Sequence, residues 1–179
     1  FDINEKLMRG MRAILEKEKC DLLLVHGDTT TAFAAALAAF YMGVPVAHVE
    51  AGLRTYDINA PYPEEFNRVA VDAVSLLHFA PTQLSADRLI LEGKKAENVF
   101  VTGNTVIDAL SYTVREDFFH STLDFAKGKR MVLFTAHRRE NIGQNMQQMF
   151  EAVKDVLPGR RLRREIKLND DGSRDIMMA

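Results

Sequence analysis

Two carboxylates, Asp28 and Glu50, stand beyond short apolar segments of the sequence. Asp28 follows residues 21–26 after one glycine, and Glu50 follows residues 46–49 directly. Facing carboxylates raise each other's proton affinity, which suits acid and base catalysis near neutral pH. The spacing leaves open a second role for Asp28, as the cap of a helix predicted from Thr29 onward. That alternative is weaker for Glu50, because an Ala-Gly pair follows it rather than a helix.

The segment from residue 52 to residue 68 adds further ionisable side chains. It contains Arg54, Glu64, Glu65 and Arg68. Glu64 and Glu65 come directly after a proline, and acidic residues in a first helical turn interact favourably with the helix dipole. Taken alone, that structural role is the commoner explanation for the two glutamates.

Polar residues also follow two later apolar segments. Asn104 comes after residues 99–102, and His137 with Arg138 comes after residues 131–135. Cationic side chains before a helix add to the free amides of its first turn and can bind phosphate. Solvated loop charge is the commoner explanation for such a cluster when nothing else supports it.

A metal site is the competing interpretation of the two strand ends. His26 and Asp28, like His48 and Glu50, are two apart and point to the same side of a strand. Four such groups could hold a divalent ion. The histidines lie inside the apolar segments, however, where a buried histidine with hydrogen-bond partners is more common, and we predict no metal site.

Apolar segments alternate with helical patterns along the first two thirds of the chain, after an opening helical pattern over residues 1–18. Strands are predicted at 21–26, 46–49, 76–80 and 99–102, and helices at 29–42, 64–75, 82–92 and 105–116. Such alternation predicts an α/β protein with a Rossmann-like parallel sheet and right-handed crossovers. Ligands bind outside the carboxyl ends of such strands. If the first two strands are neighbours, roughly 4.8 Å apart, Asp28 and Glu50 lie at one edge within reach of a single substrate.

The pattern predicts two domains rather than one. We predict a Rossmann-like domain over residues 1–116, an interdomain connection over 117–129, and the start of a second Rossmann-like domain over 130–179. That second part contains a predicted strand at 131–135 and a helix at 144–157. From about residue 158 the sequence shows no apolar strand, and we expect an atypical tail with little order.

Composition excludes several classes of protein. The 179 residues are 47% hydrophobic and 27% charged, as in globular proteins. A net charge of −2 provides no basic surface for nucleic acid or anionic membrane, and no segment approaches the roughly 20 apolar residues that span a bilayer. The single Cys20 cannot form an internal disulfide, which favours a reducing compartment. We therefore expect a soluble, cytoplasmic protein.

Five motifs in one order resemble the non-hydrolysing UDP-N-acetylglucosamine 2-epimerases. They are His26-Gly27-Asp28-Thr29-Thr30-Thr31, His48-Val49-Glu50-Ala51-Gly52-Leu53-Arg54-Thr55, Pro63-Glu64-Glu65-Phe66-Asn67-Arg68, Thr102-Gly103-Asn104-Thr105-Val106-Ile107-Asp108 and Thr135-Ala136-His137-Arg138-Arg139-Glu140-Asn141. The resemblance implies part of a two-domain glycosyltransferase B-type fold that binds a UDP-sugar between its domains. It also implies a homodimer that interconverts UDP-GlcNAc and UDP-ManNAc for bacterial polysaccharides, without metal or other cofactor.

The resemblance implies the following mechanism. A base removes the C2 proton as UDP leaves C1, which gives 2-acetamidoglucal, and UDP then adds back with protonation on the other face. Asp28, Glu50 and Glu64 correspond to the acid and base carboxylates, and His137 to the residue that steadies the diphosphate. Which carboxylate serves which face is left open. Substrate-binding roles are predicted for Arg54, Arg68, Asn104 and Arg138.

Parts of the family's pattern have no counterpart in this sequence. Its first strand with a Gly-Thr-Arg-Pro-Glu loop and its later Ser-Gly-Gly segment are not found. We therefore expect a truncated chain that is active only when completed by further sequence. Two alternatives remain: a non-catalytic remnant that binds sugar nucleotides or dimerises, and a hydrolysing relative that releases ManNAc.

Overall fold

A computed structural model of the chain describes residues 2–120, 123–124, 127–128, 134 and 142–156, and the backbone of 164–168 and 174–178. Contacts divide the chain into two compact units, Phe1–Val114 and Arg115–Ala179. The predicted strand at 131–135 and the site residues His137 and Arg138 fall outside the described residues, with the exception of residue 134.

Helices and strands alternate along the first unit, as the sequence predicts. The helices are α1 (Asp2–Glu18), α2 (Thr30–Tyr41), α3 (Glu64–Val74), α4 (Gln83–Leu91) and α5 (Thr105–Thr113). The strands are β1 (Leu23–His26), β2 (Val46–Val49), β3 (Leu77–Ala80) and β4 (Val99–Val101), with a short 3₁₀ helix at Ala96–Asn98. Helix α5 ends before the predicted residue 116 because Val114 is extended, with φ −74° and ψ 121°.

The four strands form one parallel sheet in the order β1-β2-β3-β4. The predicted α/β class is confirmed. Since each strand pairs with the next along the chain, the turns that follow the strands meet at a single edge of the sheet. In register, Val25 is opposite His48, and His48 is opposite His78. That edge carries the turns after β1 and β2, where the predicted carboxylates stand.

Small side chains on α2 allow the sheet and its helices to pack closely. Ala32, Ala36 and Ala39 are buried together with Val25 and Val46. Helix α2 begins at an N-cap, Thr29, whose Oγ1 accepts a hydrogen bond of 3.2 Å from Ala32 N. The N-cap and the helix dipole thus stabilise the start of α2 next to Asp28.

The second unit contains helix α6 (Gln144–Val156) and a two-stranded antiparallel sheet. Its strands are β5 (Arg164–Leu168) and β6 (Arg174–Met178), with Ile166 opposite Ile176. The tail with little order expected beyond residue 158 is therefore wrong at these two strands. Polar and apolar residues alternate over 165–168, and an Asp-Gly pair lies between the strands, which together indicate a hairpin.

None of the helices in the described ranges is long and apolar enough to cross a membrane.

Candidate active site

Asp28 lies at the carboxyl end of β1, just after a glycine with φ +69°. Its carboxylate pairs with the Nη2 atom of Arg68, and its backbone carbonyl accepts a hydrogen bond of 2.8 Å from Asn67 Nδ2. The capping role that the sequence left open belongs instead to Thr29. The Asp28 carboxylate is therefore not needed to cap the helix, and α3 holds it at the edge of the sheet.

Glu50 lies at the carboxyl end of the neighbouring strand in the left-handed region, with φ +68°. Non-glycine residues seldom adopt this conformation, which costs free energy and is often found at functional sites. Glu50 Oε2 lies 3.6 Å from His26 Nε2 and 3.3 Å from the place where a Cβ atom on Gly27 would be. The Glu50 carboxylate thus lies against the turn that carries Asp28, as the neighbouring-strand argument predicts.

Helix α3 contributes a row of ionisable residues to the same edge. Glu65 is 2% exposed; its Oε1 accepts hydrogen bonds from Thr55 N and Tyr56 N at 2.9 and 3.0 Å. Its Oε2 lies 3.3 Å from Arg68 Nη1. Glu64 and Arg68 are four residues apart on α3 and therefore share one helix face.

Two buried atoms of this row, Glu65 Oε2 and Arg68 Nε, have no hydrogen-bond partner in the described part of the chain. Sequence reasoning treated Glu65 only as an acid of the first helical turn. Its burial and its bonds to the loop amides show that it also fixes the segment between β2 and α3.

The guanidinium of Arg54 lies in the interior, and its predicted substrate contact stays a prediction. This residue is only 7% exposed, and its guanidinium donates to both carboxylate oxygens of Glu92 at 2.8 and 2.6 Å. It also donates to Asp72 Oδ2 and to the Leu53 carbonyl, each at 2.8 Å. These interior acceptors occupy the guanidinium. Arg54 therefore stabilises the turn after β2 from the interior of the domain.

Asp72, which sequence reasoning missed, gathers four donors in the interior. Its Oδ1 accepts from His48 Nδ1 at 2.6 Å and His78 Nδ1 at 3.2 Å. Its Oδ2 accepts from Gly52 N at 3.2 Å and Arg54 Nη2 at 2.8 Å. We call Asp72 and its partners His48, Gly52, Arg54 and His78 the Asp72 cluster.

Asp72 is ionised within this cluster. Burial would raise its pKa, but the hydrogen bonds from His48 and His78 and the charges of His48 and Arg54 hold the pKa far below its usual range. The signal in the sequence was the spacing of Glu65, Arg68 and Asp72, which recurs on one helix face. Ionisable residues repeated on the buried face of a helix indicate an internal charge network.

Histidines 26 and 48, weighed above as metal ligands, have other partners. Both ring nitrogens of His48 are engaged, one by Asp72 and the other by the Gly27 carbonyl at 2.9 Å. His26 Nε2 lies 3.2 Å from Thr105 Oγ1, but the His26 side chain is 56% exposed, so the expectation of a buried histidine is wrong at this position. Among the residues that the structure describes, no three His, Cys, Asp or Glu side chains form a group suited to a metal ion.

Asn104 caps helix α5. Its Oδ1 accepts a hydrogen bond of 2.9 Å from Val106 N. This bond accounts for the side chain without the predicted substrate contact, which stays a prediction. His137 and Arg138 lie outside the described residues, so their predicted roles also stay predictions.

Two substitutions of Asn104 test its role as the cap of α5. We expect Asn104→Ala to lower the free energy of unfolding by about 1 kcal/mol, because the first turn of α5 loses its cap. Asn104→Ser keeps a capping oxygen and should retain most of that stability. Urea unfolding followed by circular dichroism measures both, and equal losses for the two variants would contradict the capping role.

Comparison with known proteins identifies the family. The family described as UDP-N-acetylglucosamine 2-epimerase matches residues 2–175. The UDP-N-acetylglucosamine 2-epimerase of Bacillus subtilis (strain 168) is 54% identical over 156 residues, which make up 87% of this chain and 41% of that protein. The chain thus spans about two fifths of the length of the curated relatives it matches.

Solved structures agree with the sequence match. A co-structure of S. aureus MnaA with UDP has a TM-score of 0.83 and 49% identity, and covers 87% of this chain and 43% of that one. The Neisseria meningitidis UDP-GlcNAc 2-epimerase bound to UDP-GlcNAc has a TM-score of 0.77 and 42% identity, over 86% of this chain and 44% of that one. These relatives have the glycosyltransferase B-like fold, which confirms the predicted fold class.

The five-motif resemblance is confirmed by a family match that extends along nearly the whole sequence. The chain belongs to the UDP-N-acetylglucosamine 2-epimerase family.

Proposed function

We propose that this chain carries the proton-transfer residues of an enzyme that interconverts UDP-GlcNAc and UDP-ManNAc. The observation that carries the proposal is the meeting, at one edge of the sheet, of the turns that carry Asp28 and Glu50, within the motifs of an epimerase family. Two carboxylates that flank one carbon can act as base and acid toward its opposite faces.

The proposed reaction has two balanced steps. A carboxylate accepts the proton from C2 while the C1–O bond breaks, and the electron pair forms the C1–C2 double bond of 2-acetamidoglucal as UDP departs. UDP then attacks C1, and a carboxylic acid donates a proton to the other face of C2. Asp28, Glu50 and Glu64 supply these groups, and His137 steadies the departing diphosphate.

Arg68 lies beside one of these carboxylates. It pairs with Asp28 and lies 3.3 Å from Glu65 Oε2. This pair holds the Asp28 carboxylate in place at the end of β1. The substrate-binding role predicted for Arg68 is part of the same proposal.

The nature of the substrate is supported by relatives. The Neisseria meningitidis structure holds UDP-GlcNAc and the S. aureus structure holds UDP. Since the chain spans about two fifths of its relatives, we propose that activity requires the parts of those proteins outside the match. We further propose a homodimer in the cytoplasm, as in the resemblance described above.

Hydrogen exchange at C2 tests the proposed function. UDP-GlcNAc incubated in deuterated water should gain deuterium at C2 when the chain is supplemented with the remaining segments of a relative. Asp28→Asn and Glu50→Gln should each lower the exchange rate strongly, because each removes a group that moves the proton. Asp87→Asn, an exposed carboxylate on α4, is the control and should leave the rate unchanged.

Mass spectrometry of the recovered nucleotide sugar measures the exchange. No deuterium at C2 with the supplemented chain would contradict the proposed function. Full exchange in both carboxylate variants would contradict the roles of Asp28 and Glu50. Accumulation of free ManNAc and UDP would indicate hydrolysis instead.

A further inference from the structure

His48 lies fully buried in the second strand of the sheet, between two hydrogen-bond acceptors. Its Nδ1 atom is 2.6 Å from Asp72 Oδ1, and its Nε2 atom is 2.9 Å from the carbonyl oxygen of Gly27. A backbone carbonyl and an ionised carboxylate can only accept hydrogen bonds. Both ring nitrogens must then carry hydrogen, which makes the side chain an imidazolium cation.

The buried carboxylate of Asp72 lies between His48 and Arg54. Arg54 has a second carboxylate partner in Glu92, whose side chain is 31% exposed and therefore solvated. The remaining titratable neighbour, His78, donates its Nδ1 hydrogen to the same carboxylate oxygen.

The second hydrogen of His48 holds the turn that presents Asp28. Gly27 adopts φ +69°, and its amide donates to the Val49 carbonyl at 2.9 Å. Its carbonyl, which belongs to the peptide bond preceding Asp28, is bound by His48. Asn67 then holds the carbonyl of Asp28 itself, and Arg68 its carboxylate.

Asp72 links the two carboxylate-bearing turns through the same group of atoms. It binds Gly52 N in the turn that follows Glu50, and it binds His48, which reaches the turn before Asp28. The buried Asp72 carboxylate therefore fixes the backbone of the two turns that carry Asp28 and Glu50. The distance between the two groups depends on this arrangement, and proton transfer is sensitive to such placement.

We propose that His48 is a buried imidazolium that serves as the positioning residue for Asp28, with Asp72 as its counter-ion. Its importance for catalysis rests on the proposed function, while its charge and its bond to Gly27 stand on the geometry alone. His48 acts through the backbone and does not touch substrate.

Nuclear magnetic resonance of the labelled 179-residue chain, without UDP-GlcNAc, tests the proposal. Nitrogen-15 signals of the histidine side chains show whether a ring nitrogen carries hydrogen. Because both nitrogens of His48 face acceptors, both should carry hydrogen in the folded chain. A scalar coupling should connect His48 Nε2 with the carbonyl carbon of Gly27.

Two variants complete the test. In His48→Gln, the carbonyl carbon signal of Gly27 should shift, because its charged donor is lost. His78→Gln is the matched control: it also removes a histidine from Asp72 but should leave that signal in place.

A ring nitrogen of His48 without hydrogen in the folded, unaltered chain overturns the proposal even if neither variant folds. An unchanged Gly27 signal in folded His48→Gln also overturns it. Neither measurement involves turnover, so failure of the C2 exchange assay would contradict the proposed function without affecting this result.

Discussion

Asp72→Asn is expected to lower the free energy of unfolding by about 3–5 kcal/mol, because it leaves a buried charge network without its anion. The amide keeps one acceptor oxygen for the two histidines. Its nitrogen, however, would face Gly52 N and Arg54 Nη2, which are both donors and now bond to Asp72 Oδ2 at 3.2 and 2.8 Å. A net stability of about 5–15 kcal/mol makes such a loss large.

The same carboxylate gives stability a definite dependence on pH. The pKa of Asp72 is lowered in the folded state, against the effect of burial, by its hydrogen bonds and charged partners. Its contribution is therefore fully present above the unfolded pKa of about 4, and it is lost as the pH falls below that value toward the folded pKa. Asp72→Asn should weaken this loss of stability in acid.

Urea unfolding followed by circular dichroism at neutral and at acidic pH measures both effects, and it suits a chain without tryptophan. Glu16→Gln is the control, because it breaks an exposed pair with Arg12 at 2.8 Å in the same unit. It should change stability little or not at all. Similar losses for the two variants would show that Asp72 contributes no more than a surface ion pair.

The edge that carries Asp28 and Glu50 was predictable because it depends on local sequence. Each carboxylate follows a short apolar strand, and parallel strands joined by single helices must end at the same edge. The structure places both turns there, with Gly27 against Glu50 Oε2. The sequence analysis left the strand order open, and the structure shows that every strand pairs with its sequence neighbour.

The interior network was not predictable from motifs, because its partners are distant in sequence. Arg54 meets Asp72 across 18 residues and Glu92 across 38 residues. A motif shows that Arg54 stands near the carboxylates, but only the fold shows that its guanidinium turns inward. His48 was judged correctly as a buried, hydrogen-bonded histidine, although its partners Gly27 and Asp72 could not be named.

The hairpin near the end of the chain was missed for a different reason. The signal for a strand was a run of apolar residues. Strands β5 and β6 contain polar residues as well, such as Arg164 and Lys167. Antiparallel strands exposed on one face alternate between polar and apolar residues. The period of the pattern, rather than its mean hydropathy, was the useful signal.

Gly52→Ala is expected to be the second most damaging change, because two separate costs coincide at this position. Gly52 has φ +81°, a conformation that costs an L-residue roughly 1–2 kcal/mol. An added Cβ would also lie 2.3 Å from the Ser85 carbonyl oxygen and 2.9 Å from Leu89 Cδ1. Both belong to α4, so the turn and the helix would have to separate, at a further cost of about 1–3 kcal/mol.

Gly93→Ala separates the two costs, because it has the conformational cost of a positive φ but not the steric cost of a contact with α4. Its φ is +87°, but no heavy atom lies within 4 Å of the place for a Cβ. Gly93→Ala should thus lose only the conformational part, about 1–2 kcal/mol, in the same urea experiment. Equal losses would mean that α4 moves aside without cost. A larger loss at Gly52 would show that close packing of α4 holds the turn joining Glu50 to Arg54, and hence the Gly52 amide that binds Asp72.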